Sequence, residues 1–305
     1  MAGIAFVFPG QGSQYVGMAK DLYDADPAAR ELIDRADAVL GFPLSRCCFD
    51  GPEDELRQTK NTQPAIFLHS IVASRKLTGI RPAMVAGHSL GEYSALVAAG
   101  ALDFEDALRL VRLRGELMQR AGETHKGTMA AVVGLAPGVV EEICRTASPE
   151  GIVQPANFNS PGQIVISGSV AGVRRAMELA KQRGARLAKE LVVSGAFHSP
   201  LMESARTGLK HALDQTVIRS ASIPVYANVT AEPVTLGEEI RSLLVQQLTS
   251  PVRWEETVRN MARDGADRFH EIGPGKVLQG LIQRTAPGVQ IFGVGTCADF
   301  RKYEA

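Results

Sequence analysis

The chain has 305 residues, 45% of them hydrophobic, and its 33 Lys and Arg balance its 33 Asp and Glu. Zero formal charge argues against nucleic acid as a main partner, since phosphate binding takes a basic excess. No apolar run nears the ~18 residues that span a bilayer, and Met1 to Phe8 lacks the charged start and the length of a signal peptide. Cys47, Cys48, Cys144 and Cys297 show no CxxC pair and no metal-ligand spacing, so a cytoplasmic protein with reduced thiols and no bound metal is expected.

Short apolar runs alternate with longer helical patterns, the habit of an α/β protein. Ile4 to Phe8 reads as a buried strand broken by Pro9-Gly10-Gln11-Gly12. A helix is predicted from Pro64 to Leu77, then a short strand from Ala83 to Ala86. Gly87-His88-Ser89-Leu90-Gly91 leads into a further helix, and Phe104 to Ala121 is strongly amphipathic. The style then changes. Met129 to Val133, Val153 to Ala156, Gln163 to Ser167 and Arg186 to Val193 read as strands, with helices over Pro137 to Thr146 and Val170 to Arg183. That βαββαβ order is ferredoxin-like and predicts an inserted small subdomain over 127–193, within a large one formed by 1–126 and 194–305. After it come the strand Pro224 to Asn228, helices near Glu238 to Leu248 and Trp254 to Arg263, and the strand Arg268 to Ile272.

Gly87-His88-Ser89-Leu90-Gly91 matches G-x-S-x-G between a strand and a helix. A sharp turn there exposes the serine hydroxyl, and the following N–H, that of Leu90, is aimed at an oxygen that gains charge. The plainer reading is a serine that caps a helix. A nucleophilic serine needs a base. Of six histidines, His69 and His211 fall in helical patterns, His125 in a polar connector and His270 within a strand; His198 follows Leu191-Val192-Val193 in a loop. Loops beyond strand ends are where open α/β sheets place their chemistry. No acid stands in an obvious third position, so the group that orients the histidine is left open by pattern.

One residue breaks the amphipathic pattern. Phe104, Ala107, Leu108, Leu110, Val111, Leu117 and Met118 form one arc, with Arg109, Arg112 and Arg120 opposite, yet Arg114 projects from the middle of the arc. A buried guanidinium needs a partner. Two are possible by pattern: an internal acid, or a carboxylate on the substrate, which suits the two-pronged geometry of Arg.

With these residues in hand, the chain resembles the malonyl-CoA:acyl carrier protein transacylase family and the related acyltransferase domains of polyketide synthases. The resemblance runs through Phe8-Pro9-Gly10-Gln11-Gly12-Ser13-Gln14, Thr62-Gln63-Pro64-Ala65, Gly87 to Tyr93, Arg112-Leu113-Arg114-Gly115, Ala156 to Pro161, Gly195 to Ser199 and Glu271 to Lys276. It implies Ser89 as nucleophile, His198 as base, and Arg114 as the group that binds a malonyl carboxylate. It further implies Gln11 and Leu90 as backbone donors of an oxyanion hole, and Gln247 as the residue whose carbonyl orients the histidine. His88, Gln63 and Asn159 would support them. Phe197 would crowd an α-methyl branch and favour malonyl over methylmalonyl cargo.

The fold implied is hydrolase-like, with a small ferredoxin-like part. The reaction implied moves a malonyl group from malonyl-CoA to acyl carrier protein, with coenzyme A thioester as substrate and no tightly bound cofactor. Gly10-Gln11-Gly12 lacks the third glycine of a dinucleotide site, and Gly273-Pro274-Gly275-Lys276 lacks P-loop spacing. Rival readings are a trans-acting acyltransferase of a polyketide synthase, a thioester hydrolase, and a catalytically dead subunit. The basic residues Arg174, Arg175, Lys181, Arg183, Arg186 and Lys189 are either a docking face for an acidic carrier or a solvated surface.

Overall fold

A computed structural model describes residues 3–304. Met1, Ala2 and Ala305, which include the first two residues of the stretch read for a signal peptide and the outer bounds of the expected large unit, lie outside the described residues.

The chain opens with strand β1 (Gly3–Phe8), buried toward its C-terminal end. Five helices follow: α1 (Lys20–Ala25), α2 (Pro27–Leu40), α3 (Leu44–Asp50), α4 (Glu53–Leu56) and α5 (Thr59–Lys76). Strand β2 (Met84–Gly87) leads into α6 (Gly91–Ala98) and the long α7 (Phe104–Thr124). The next stretch runs β3 (Gly127–Val133), α8 (Pro137–Ala147), β4 (Val153–Ser160), β5 (Gln163–Ser169), α9 (Val170–Gln182) and β6 (Leu187–Glu190). Then come α10 (Glu203–Gln215), β7 (Val225–Tyr226), β8 (Pro233–Val234), α11 (Gly237–Gln247) and α12 (Trp254–Arg263). The chain closes with β9 (Ala266–Ile272), α13 (Val277–Thr285), β10 (Gln290–Val294) and α14 (Cys297–Glu304).

Two sheets result. The larger has the order β10-β9-β1-β2-β7-β8, parallel from β10 to β7 and antiparallel only at β8. Its central strands are covered on both faces, so β2 is apolar throughout and fully buried, as parallel strands are. The smaller sheet is antiparallel, in the order β4-β5-β3-β6, with α8 and α9 packed on it around Ile164, Ile166, Val140, Ile143 and Val173. The segment between α11 and α12 bridges to the smaller sheet at β4. The Phe158 N–H donates to the Val252 carbonyl at 2.9 Å and the Val252 N–H to the Ala156 carbonyl at 2.8 Å.

Several boundaries differ from the sequence reading, three of them instructively. Strand β6 is only Leu187–Glu190; the Leu191 N–H still donates to the Met129 carbonyl of β3 at 2.8 Å, and Leu191 and Val193 line a cavity. Strand β7 is shorter than 224–228, since Asn228 leaves the ladder for bonds described below. Helix α5 starts at Thr59 and carries Pro64 inside it. Proline leaves the carbonyl four residues earlier without its helical donor. That carbonyl, on Lys60, accepts instead from Arg112 Nη1 of α7 at 3.0 Å. A neighbouring helix thus makes the proline tolerable.

Candidate active site

Strands β1 and β2 run side by side with Phe8 opposite Gly87, so the turns leaving their C-terminal ends meet. One turn carries Gln11, the other Ser89. The approach demands glycine. A Cβ on Gly91 would stand 2.1 Å from the Phe8 carbonyl oxygen, and one on Gly87 1.9 Å from the Gly91 carbonyl carbon. Ser89 is held at φ 51°, a left-handed conformation that costs a residue with a side chain about 1–3 kcal/mol. Asn228 pins the turn: its Oδ1 accepts from the Ser89 N–H at 2.6 Å, and its Nδ2 donates to the Gly87 carbonyl at 2.7 Å.

His198, from the loop after β6, places Nε2 2.8 Å from Ser89 Oγ. Its Nδ1 lies 2.8 Å from the Gln247 carbonyl oxygen. A carbonyl only accepts, so Nδ1 holds the proton and Nε2 offers its lone pair to the serine hydroxyl. Burial, and then the nearby Arg114 charge, press the histidine pKa from 6.5 down to about 3. The imidazole is therefore neutral, with its Nε2 lone pair facing the serine hydroxyl. Gln154, on β4, holds the same loop by donating to the His198 carbonyl at 2.8 Å.

Among the described residues, the backbone N–H groups of Gln11 and Leu90 donate to no atom of the chain. Both residues line a cavity of about 230 Å³ with Ser89, Arg114, Phe197 and His198. Two free donors beside a serine hydroxyl can receive a carbonyl oxygen as it gains charge.

Arg114 is 1% exposed. Its Nη1 donates to Gln63 Oε1 at 2.8 Å, and its Nη2 to Ser89 Oγ at 3.0 Å and Gln247 Oε1 at 2.8 Å. The Tyr93 ring lies 5.8 Å from the guanidinium carbon. Among the described residues, no acid forms an ion pair with it. The internal acid that the sequence left open is therefore not in direct contact. A cation with free N–H groups beside a nucleophile is suited to a ligand carboxylate.

His88 Nε2 lies 2.9 Å from Asn159 Oδ1, its ring 5.6 Å from that of Trp254; both His88 and Asn159 line the cavity. Gln63 is buried under Arg114 and donates to Met118 Sδ at 3.2 Å. All the residues singled out around Ser89 thus converge. The other histidines do not join them. His69 is buried against the Gly295 carbonyl at 2.7 Å, His270 stacks on Phe292, and His125 and His211 are exposed.

Three residues went unread in the sequence: Asn228, Gln154 and Glu92. Asn228 had a signal, since it follows a strand at the edge where Ser89 sits. Gln154 and Glu92 had none, because each acts through a partner more than 40 residues away. The basic segment is less open than its composition suggests. Arg174 pairs with Glu190, Arg175 with Glu150 and Glu178, and Arg183 with Glu142. No helix among the described residues is long and apolar enough to cross a membrane.

Comparison with known proteins identifies the family. Residues 5–295 match the acyl transferase domain family. The chain is 50% identical over 287 residues to the malonyl CoA-acyl carrier protein transacylase of Bacillus subtilis, covering 93% of this chain and 90% of that protein. The malonyl CoA-acyl carrier protein transacylase of Coxiella burnetii superposes with a TM-score of 0.96 at 40% identity, covering 99% of this chain and 96% of that one. A malonyl-transacylase in complex with its type II polyketide acyl-carrier protein superposes with a TM-score of 0.95 at 41% identity, over 99% and 98% of the chains.

Proposed function

We propose, from the premise that this chain belongs to the acyl transferase domain family and within it to the malonyl CoA-acyl carrier protein transacylases, that Ser89 carries a malonyl group from malonyl-CoA to acyl carrier protein. The chain is an acyltransferase; the cargo, the carrier and the steps are our reading. We take residues 1–126 and 194–305 as a hydrolase-like unit that holds the nucleophile, and 127–193 as a ferredoxin-like insertion.

His198 removes the Ser89 proton as Oγ attacks the thioester carbonyl. The N–H groups of Gln11 and Leu90 hold the oxygen of the tetrahedral intermediate, each such donor contributing on the order of 3 kcal/mol. Collapse breaks the C–S bond, the imidazolium returns its proton to the departing coenzyme A sulfur, and a malonyl ester remains on Ser89. The phosphopantetheine thiol of the carrier then enters and gives its proton to His198 as its sulfur attacks the ester carbonyl; collapse breaks the C–O bond, the imidazolium returns the proton to Ser89 Oγ, and the acyl group leaves on the carrier. This is a two-step ping-pong scheme. Its product supplies carbon for fatty acid chain elongation.

The observation that carries the cargo assignment is the Arg114 guanidinium, buried, 3.0 Å from Ser89 Oγ and, among the described residues, in no direct ion pair with an acid. Ser89→Ala tests the nucleophile. Mixed with malonyl-CoA, the unaltered protein gains a malonyl adduct by intact mass and the variant gains none; an adduct that persists moves the nucleophile elsewhere.

The likeness to a malonyl-transacylase bound to a polyketide carrier supports a second reading, supply of a polyketide carrier. Comparing KM for a fatty acid and a polyketide carrier protein separates the two. Malonyl-CoA hydrolysis measured without any carrier separates both from a thioester hydrolase.

A further inference from the structure

Glu92 stands in the first turn of α6, three residues after the nucleophile, and is 3% exposed. The steps above do not use it. A buried carboxyl without a role is costly, so its contacts matter. Its Oε2 accepts from Gln247 Nε2 at 2.8 Å and from the Asn228 N–H at 3.1 Å. Gln247 comes from α11 and is itself fully buried. The other end of the same amide, Oε1, accepts from Arg114 Nη2 at 2.8 Å, and Nε2 also donates to the Ser89 carbonyl at 3.0 Å.

The polarity of this chain of bonds is dictated by its ends. A guanidinium can only donate, and Glu92 Oε2, which already takes the Asn228 N–H, meets the amide as an acceptor. An amide between them has one satisfactory orientation, oxygen toward Arg114 and nitrogen toward Glu92. The bridge balances the buried positive charge at one amide's remove. A direct ion pair would have taken the forked face of the guanidinium; here only single N–H groups are engaged, by Gln63, Ser89 and Gln247.

We infer that Glu92 is a positioning residue for Arg114, locking the Gln247 side-chain amide so that the guanidinium stays aimed at the acyl site with donors left for the acid end of the cargo. The inference rests on the reading that Arg114 receives the malonyl carboxylate. Glu92→Gln is close in shape but neutral, and it can offer Gln247 either end of its own amide, so the fixed acceptor that orients the Gln247 amide is lost.

The test is a double-mutant cycle on the rate of malonyl-Ser89 formation, followed by intact mass in the full chain. In the unaltered background Glu92→Gln is expected to lower kcat/KM for malonyl-CoA about tenfold, and in an Arg114→Ala background less than about twofold, since residues in one network are coupled. Equal losses in the two backgrounds, or no loss in the first, overturn the inference. Gln247→Met deletes the amide but keeps the main-chain carbonyl that holds His198. It must reproduce the loss, which keeps the idea testable should Glu92→Gln fail to fold; a normal rate in Gln247→Met also overturns it. Failure of the underlying reading looks different: the unaltered protein would form no malonyl-serine, or Arg114→Ala alone would leave malonyl transfer intact.

Discussion

Arg114 concentrates the chemistry of this protein in one side chain. Its guanidinium is withdrawn from water, set against Tyr93, Gln63, Gln247 and the nucleophile, and left with N–H groups to give. A charge-assisted hydrogen bond contributes about 1.5–3 kcal/mol, so Arg114→Ala is expected to cut kcat/KM for malonyl transfer by roughly 10–100-fold. Acetyl transfer, which offers no carboxylate, is expected to change far less; parallel assays with the two thioesters check this, and equal losses refute the assignment. The same charge acts on His198, second to burial, in lowering its pKa to about 3. The unfolded chain, near 6.5, binds a proton that the folded chain refuses. This contribution to stability is therefore present above about pH 6.5 and is lost as pH falls toward 3. Each pH unit of that difference is about 1.4 kcal/mol. Between about pH 7 and about pH 5 the unaltered protein should lose ~2 kcal/mol more than His198→Gln, as read from urea midpoints; identical losses would mean an imidazole that titrates normally. Glu92 works in the opposite sense. Burial raises its pKa from 4.5 to about 7, so its share of stability is present below about 4.5 and is lost as pH rises through about 7.

At the scale of single elements, the turn from β2 into α6 is the most constrained. Two glycines face each other across it, and Ser89 holds a positive φ between them. Gly91→Ala must push the Phe8 carbonyl away from a Cβ that would lie 2.1 Å from it. Overpacking of this kind costs about 1–3 kcal/mol, and Phe8 leads into the loop that carries Gln11. A fall in Tm together with a loss of serine acylation is expected, against unchanged Tm and acylation if the turn has slack. Helix α5 teaches a different lesson. A proline signals the start of a helix, and by that rule the sequence places the start at Pro64. What overrides the rule is Arg112 of α7, which supplies the donor that the proline ring lacks. The periodicity of α7 itself was legible throughout, down to the misplaced arginine, because an amphipathic helix writes its buried face into its own residues.

Across the whole molecule, the site is assembled from both sheets. Gln154 on β4 holds the His198 loop, while Leu191 and Val193, just past β6, wall the cavity against α13. The basic face of the smaller sheet is largely matched by its own acids, at Glu142, Glu150, Glu178 and Glu190. Lys181 and Lys189 are exposed there and, among the described residues, form no ion pair within the chain. If an acidic carrier docks on this face, Lys181→Glu with Lys189→Glu raises its KM several-fold, in keeping with up to about 1 kcal/mol for an exposed charge pair, and leaves acylation by malonyl-CoA untouched. An unchanged KM returns the segment to an ordinary solvated surface.

By itself the sequence determined the alternation of strands and helices, the turn that exposes Ser89, the loop that presents His198, and the arginine lodged in an apolar arc. Each of these is a local pattern, written within a few turns of chain. Local pattern left open which group orients the histidine, and only the family resemblance pointed to Gln247; what lies beside the Arg114 charge and what pins the strained serine were decided only by the fold. Gln247 meets His198 across 49 positions of sequence, Glu92 meets Gln247 across 155 and Asn228 meets Ser89 across 139, and hydrogen bonds over such separations follow from packing and leave no periodicity to read.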